Sequence, residues 1–125
     1  MVERWVILAA AAGMLAAGQW AGAHHSLSIY EPAKDARVEG VATHYFFRNP
    51  HVAIRFDVTD ANGEVENWSA ETSGTRRMIK AGWDENTIKP GDRLIVIGRL
   101  SKRGEKKMFM EKAVINGKMW ERGRR

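Results

Sequence analysis

The chain has 125 residues, and 20 Lys and Arg against 15 Asp and Glu give it a formal charge of +5. That length supports one domain, and the absence of cysteine excludes disulfides, thiolate metal sites, a cysteine nucleophile and a lipid-modified N-terminal cysteine. The basic residues are dispersed, apart from Lys102-Arg103 with Lys106-Lys107 and a C-terminal run at 122–125, and no aromatics interleave them. The charge therefore predicts solubility, and no nucleic acid is expected as a partner.

Residues 1–23 read as a secretory signal peptide. Arg4 and the amino terminus supply positive charge, weakened by Glu3, and 6–17 contains no polar residue. That run is short for a membrane span, which needs about 20 apolar residues. Ala21 and Ala23 put small residues where a signal peptidase reads, so cleavage is expected after Ala23. An uncleaved anchor is the alternative. Cleavage would leave a periplasmic or secreted chain with no stable membrane span.

Residues 24–36 read as an extended arm. Leu27, Ile29 and Tyr30 are apolar enough to pack on something, and Glu31-Pro32 argues against helix. A barrel domain is expected over 37–118. Residues 37–47 form its first strand, with Val41, Thr43, Tyr45 and Phe47 on one face and Ala42, His44 and Phe46 on the other. Gly40 suggests a bulge or sharp coil near the strand start. Asn49-Pro50 makes a corner, and after it Val52, Ile54, Phe56 and Val58 share one face of a second strand. Asp60-Ala61-Asn62-Gly63 is a hairpin turn, because Asn-Gly accepts the positive φ angles it needs. The returning strand is 65–71 and contains Trp68.

The period then changes. Residues 75–81 are expected to be helical, with Ser73 or Thr75 as cap and Gly82 as terminator. Lys89-Pro90-Gly91-Asp92 turns into a strand at 93–100 that is apolar on both faces and hence central. A charged hairpin around Gly104 leads to a last strand at 108–115. An Asn116-Gly117 turn and a basic tail at 119–125 follow. This order of three strands, a helix and two strands predicts a mainly β, five-stranded OB-like barrel with one short helix between strands three and four. A small open β-sandwich with one helix is the other arrangement considered.

Ala23-His24-His25-Ser26, Glu39-Gly40, Asn49-Pro50-His51, Trp68 with Glu71, Gly82-Trp83 and Lys89-Pro90-Gly91-Asp92 together resemble a family of small exported bacterial proteins of unknown function. The resemblance covers most of the chain after 23. It implies a periplasmic location and an OB-like fold, brings no activity, and directs attention to His24, His25, His51, Trp68 and Glu71. Phe47 stands where the family commonly has tryptophan, one aromatic for another.

Cleavage after Ala23 would make His24 the first residue. Its free amine and ring Nδ1 can chelate a metal together, and one more imidazole, from His51 or His25, would complete a three-nitrogen site similar to the histidine brace of exported copper proteins. Imidazole nitrogen suits Cu(II), the tightest-binding divalent first-row ion. Glu71 is the candidate to accept a ring N–H or to ligate directly. Each residue also has a plainer reading. His24 and His25 fit a solvated terminus, the His51 ring can bond turn carbonyls, Trp68 can pack at the rim, and Glu71 can cap the helix region. No nucleophile elbow, P-loop or dinucleotide glycine pattern occurs, so no enzyme is expected. The sequence thus leaves a copper-binding protein beside a module whose aromatic barrel face, with Tyr45, Phe47 and Trp68, holds an oligosaccharide, peptide or protein in the periplasm.

Overall fold

A computed structural model describes residues 27–123 of the chain. Its elements are β1 (Ala36–Phe46), β2 (Ala53–Thr59), β3 (Val65–Glu71), α1 (Thr75–Lys80), β4 (Arg93–Leu100), β5 (Lys107–Ile115) and β6 (Lys118–Glu121). The sheet order is β3-β2-β1-β4-β5-β6, and a parallel pairing of β3 with β5 closes the first five strands into a barrel. This is the expected OB-like arrangement, with its one helix between β3 and β4. The signal segment at 1–23, His24 and His25 lie outside the described residues, as do the last two arginines.

Closure depends on the long first strand. Its N-terminal half pairs with β4, its C-terminal half with β2, and Val41 belongs to both ladders. A strand shared in this way must coil tightly. A Cβ at Gly40 would stand 2.3 Å from the Asp57 carbonyl oxygen, so only glycine lets the strands approach. The register shift itself falls later than expected, between Ala42 and His44. It switches the inward face: Ala42 is buried, Val41 is exposed, and Tyr45 and Phe47 then pack on the core while His44 and Phe46 are left outside it. The extra residue of a bulge breaks simple alternation.

β2 keeps the expected alternation, with Val52, Ile54 and Phe56 buried and Val58 packed beside them. The β2–β3 hairpin turns on Gly63 at φ +81°, and the Asp60 carboxylate accepts the N–H groups of Asn62 and Glu64. β4 is central as predicted, with Leu94, Val96 and Ile97 buried between β1 and β5.

α1 ends one residue before the expected limit, in a Schellman arrangement. Gly82 N–H donates to the Ile79 carbonyl, and Trp83 N–H reaches back to Met78. Both Met78 and Trp83 are fully buried in the core, so the helix end plugs the barrel. The tail reading of 119–125 needs correction. Its first part belongs to β6, a strand that covers the edge of β5 beyond the stretch paired with β3. Trp120 of that strand packs edge-on against Trp83 at 5.5 Å, and Trp83 Nε1 donates to the Glu121 carbonyl at 2.8 Å. The edge of β5 is thereby covered. Among the described residues no helix is long and apolar enough to cross a membrane.

Candidate functional site

The corner after β1 is tied to the segment between β3 and α1. Asn49 Oδ1 accepts both the backbone N–H and the hydroxyl of Thr75, at 2.9 and 3.0 Å. It thus caps a helix whose own N-cap, Gly74, offers no side chain. Neither Ser73 nor Thr75 supplies the predicted cap. Gly74 is required here because a Cβ would meet Asn49 Oδ1 at 2.9 Å and the Pro50 carbonyl at 3.0 Å. Two backbone bonds extend the β2–β3 ladder past its last pair: Val52 N–H to the Ser73 carbonyl and Thr72 N–H to the Val52 carbonyl. The buried Thr72 hydroxyl donates across to Met110.

His51 stands in this frame, half-buried, with Nδ1 2.9 Å from the Thr72 carbonyl. A carbonyl can only accept, so Nδ1 carries the hydrogen, and in the neutral ring Nε2 keeps its lone pair. The turn-carbonyl bond is the plainer of the two readings of His51. It is also the bond by which proteins orient a metal-ligating histidine.

Glu71, one residue before Thr72, has a different partner. Its Oε1 accepts the Tyr30 hydroxyl at 2.5 Å and lies 3.9 Å from Lys107 Nζ. It does not cap α1. Tyr30 anchors the arm, which docks beside the β4–β5 hairpin: Glu31 N–H donates to Leu100, Lys102 N–H donates to Ile29, and Tyr30 bridges to Ser101. The Tyr30 ring packs on Phe109 at 5.8 Å. Burial, reinforced by the bond to Glu71 and its negative charge, raises the Tyr30 hydroxyl well above the ordinary tyrosine range. The arm's apolar residues therefore dock, as their composition suggested. Tyr30's polar end went unread because its acceptor lies 41 residues away.

Among the described residues no three His, Asp or Glu side chains are placed to hold a metal ion. A metal site at His51 would need ligands from His24 or His25, which are not described. The three aromatics proposed as a ligand face are placed otherwise. Tyr45, Phe47 and Trp68 pack partly buried against the core, Trp68 against Phe56 at 6.4 Å. The outward aromatic is Phe46, stacked on His44 at 6.0 Å, with the Arg48 and Arg55 guanidiniums 4.7 and 5.5 Å from its ring centre. A hollow of about 520 Å³ beside it is lined by His44, Arg55, Asn67 and Trp68 among others.

A polar network beside Ser73 also escaped the sequence reading. Glu111 takes Arg99 Nε on one oxygen at 3.1 Å and Arg122 Nε on the other at 2.7 Å. Burial would raise the Glu111 carboxyl, but Arg122 and then Arg99 outweigh it and hold the group below the usual carboxylate range. A charged pair flanking the Gly104 hairpin was the available signal for Arg99 and Glu111. Arg122 had none, since it read as part of a tail.

Among curated proteins no match to the chain is found. The profile of a family of unknown function, DUF6152, matches residues 3–110, which runs through β4 and into the start of β5. With that match covering most of its length, the chain belongs to the DUF6152 family.

Proposed function

We propose that this protein is an exported β-barrel that binds a transition metal, copper foremost, through His24 at a processed N-terminus and through His51. The observation that carries the reading is the His51 ring: Nδ1 is committed to the Thr72 carbonyl, which leaves Nε2 as the lone pair for a ligand. The arm supplies the route. Its anchor Tyr30 holds Glu71, the neighbour of the residue that holds His51. Leu27 lines the same hollow as Arg77 and Arg122, and both of these bond Ser73, the next residue along. Leu27 is three positions after His24, a reach of about 10 Å when extended. In this reading Glu71 positions the arm through Tyr30 and is not a ligand. His25 is the spare imidazole. The protein acts as carrier or buffer, with no catalytic step assigned.

The test is a Cu(II) titration of protein whose intact mass starts at His24. A version with one extra N-terminal residue displaces the amine and should lose most of the affinity; His51→Ala should lose part. Protons compete for the same lone pairs, so binding should weaken as pH falls. Equal binding by all three proteins would sink the proposal.

The outward Phe46 face favours a second reading, a module for an oligosaccharide, peptide or protein partner. A ring flanked by two guanidiniums and an imidazole is a stacking surface with donors beside it. Phe46→Ala separates the readings, because it would abolish such binding and leave Cu(II) binding intact.

A further inference from the structure

The network around Glu111 carries more positive charge than it neutralises. Arg99 comes from β4, Arg122 from just after β6 and Arg77 from the last turn of α1. Glu111 joins the first two, and the Ser73 hydroxyl accepts from Arg122 Nη1 at 3.1 Å and Arg77 Nη1 at 3.4 Å. Three guanidiniums are thus held in one cluster with a single carboxylate between them. Their side chains are sheltered: Arg99 and Arg122 are only 18% and 20% exposed, and Glu111 17%. Solvent screens such an excess less than it screens free surface charges. The Arg122 guanidinium also lies 5.1 Å from the centre of the Phe109 ring, which fixes its plane.

All three arginines line an open hollow of about 540 Å³, whose other walls include Leu27 and Lys34 of the arm. Lys112 adds a fifth cation and Glu121 a second anion, so five positive groups face two negative ones. Arg99 spends only Nε on Glu111. Its Nη groups have no partner among the described residues. Planar guanidinium forks match the oxygens of carboxylates and phosphates. Three forks arriving from three elements exceed what the two oxygens of one carboxylate can take. A tetrahedral group with three terminal oxygens and a double negative charge matches both their number and the excess of two charges over Glu111.

We propose that this hollow is an oxyanion site that takes a phosphoryl group on Arg77, Arg99 and Arg122, with the docked arm as one wall. The site is independent of the metal reading and is tested on metal-free protein. The probe is inorganic phosphate, titrated at constant ionic strength while the arginine Nε–H NMR signals are followed, with acetate as the planar control. Saturable shifts confined to the three arginines, and much smaller ones with acetate, are expected. Arg77→Lys and Arg99→Lys keep the charge but remove the fork, and each should weaken phosphate binding roughly tenfold. Arg77 lies outside the Glu111 pair, so its variant stays informative if the other does not fold. Co-sedimentation with phosphatidic acid vesicles, whose headgroup is a phosphate monoester, competed by free phosphate, would assign the group to a lipid headgroup. Phosphate shifts without co-sedimentation would assign it to a soluble ion or ester. Shifts that do not saturate, that acetate reproduces, or that survive both lysine variants would overturn the proposal.

Discussion

Tyr30 and Trp83 do the same job at opposite ends of the chain. Each is a large aromatic, 1% exposed, that ties a terminal segment to the barrel and satisfies its polar atom there. They differ in what they join. Trp83 belongs to the central cluster with Met78 and Phe56, and its partner is the backbone carbonyl of Glu121, which carries no charge at any pH. Tyr30 and its neighbour Phe109 are buried outside that cluster, beneath the arm, and the acceptor is a carboxylate. The C-terminal strand is thus built into the core, whereas the arm is laid over the outside. Release of the arm should therefore leave the barrel closed.

The sharpest test of this contrast is Trp83→Ala. Removing a fully buried indole should cost about 3–5 kcal/mol in chemical denaturation, with β6 released in the same transition. A cost below about 1 kcal/mol, the level of a surface change, would mean that the plug is not part of the core. Tyr30→Phe is gentler. It removes the hydrogen bond to a charged group and should cost about 1–3 kcal/mol. Its effect should be local: faster amide exchange over the arm and the β4–β5 hairpin, with the exchange of β2 and β3 unchanged. If β2 and β3 loosen equally, the two anchors are equivalent and the contrast fails.

The smallest effect is a response to base. The Tyr30 hydroxyl is raised in the folded chain, so folding favours its neutral form. Docking is therefore fully supported below the ordinary tyrosine value near ~10 and weakens as pH rises above it, because the released tyrosine then ionises. Tyrosinate absorbance should appear together with arm release, while the Trp83 indole N–H signal stays in place. Loss of both signals at one pH would show a single cooperative unit.

Much of the barrel was legible because it follows short-range rules. Val52, Ile54 and Phe56 alternate as a strand must, and all are buried. Asn62-Gly63 turns where positive φ is needed, and Gly82 at φ +90° ends the helix that its position predicted. β6 was missed because four residues with charged ends, Lys118 and Glu121, carry too little pattern to separate from a tail. The single alternation expected along β1 fails past Ala42, because a bulge changes parity without leaving a residue that marks it.

The candidate site was legible only as a set of residue types. His51 could be named, but the Thr72 carbonyl that orients it is 21 residues away. Glu71 could be named, but its partnership with Tyr30 depends on the arm crossing the β4–β5 hairpin. Asn49 read as a turn former until the closed barrel brought Thr75 beneath it. By itself the sequence determined five of the strands, the turns and the helix to within a residue or so, because side-chain period and backbone φ act between neighbours. Only the tertiary structure decided which acceptor each polar side chain meets, because the parallel β3–β5 pairing joins residues nearly 40 apart and no local pattern encodes such a meeting.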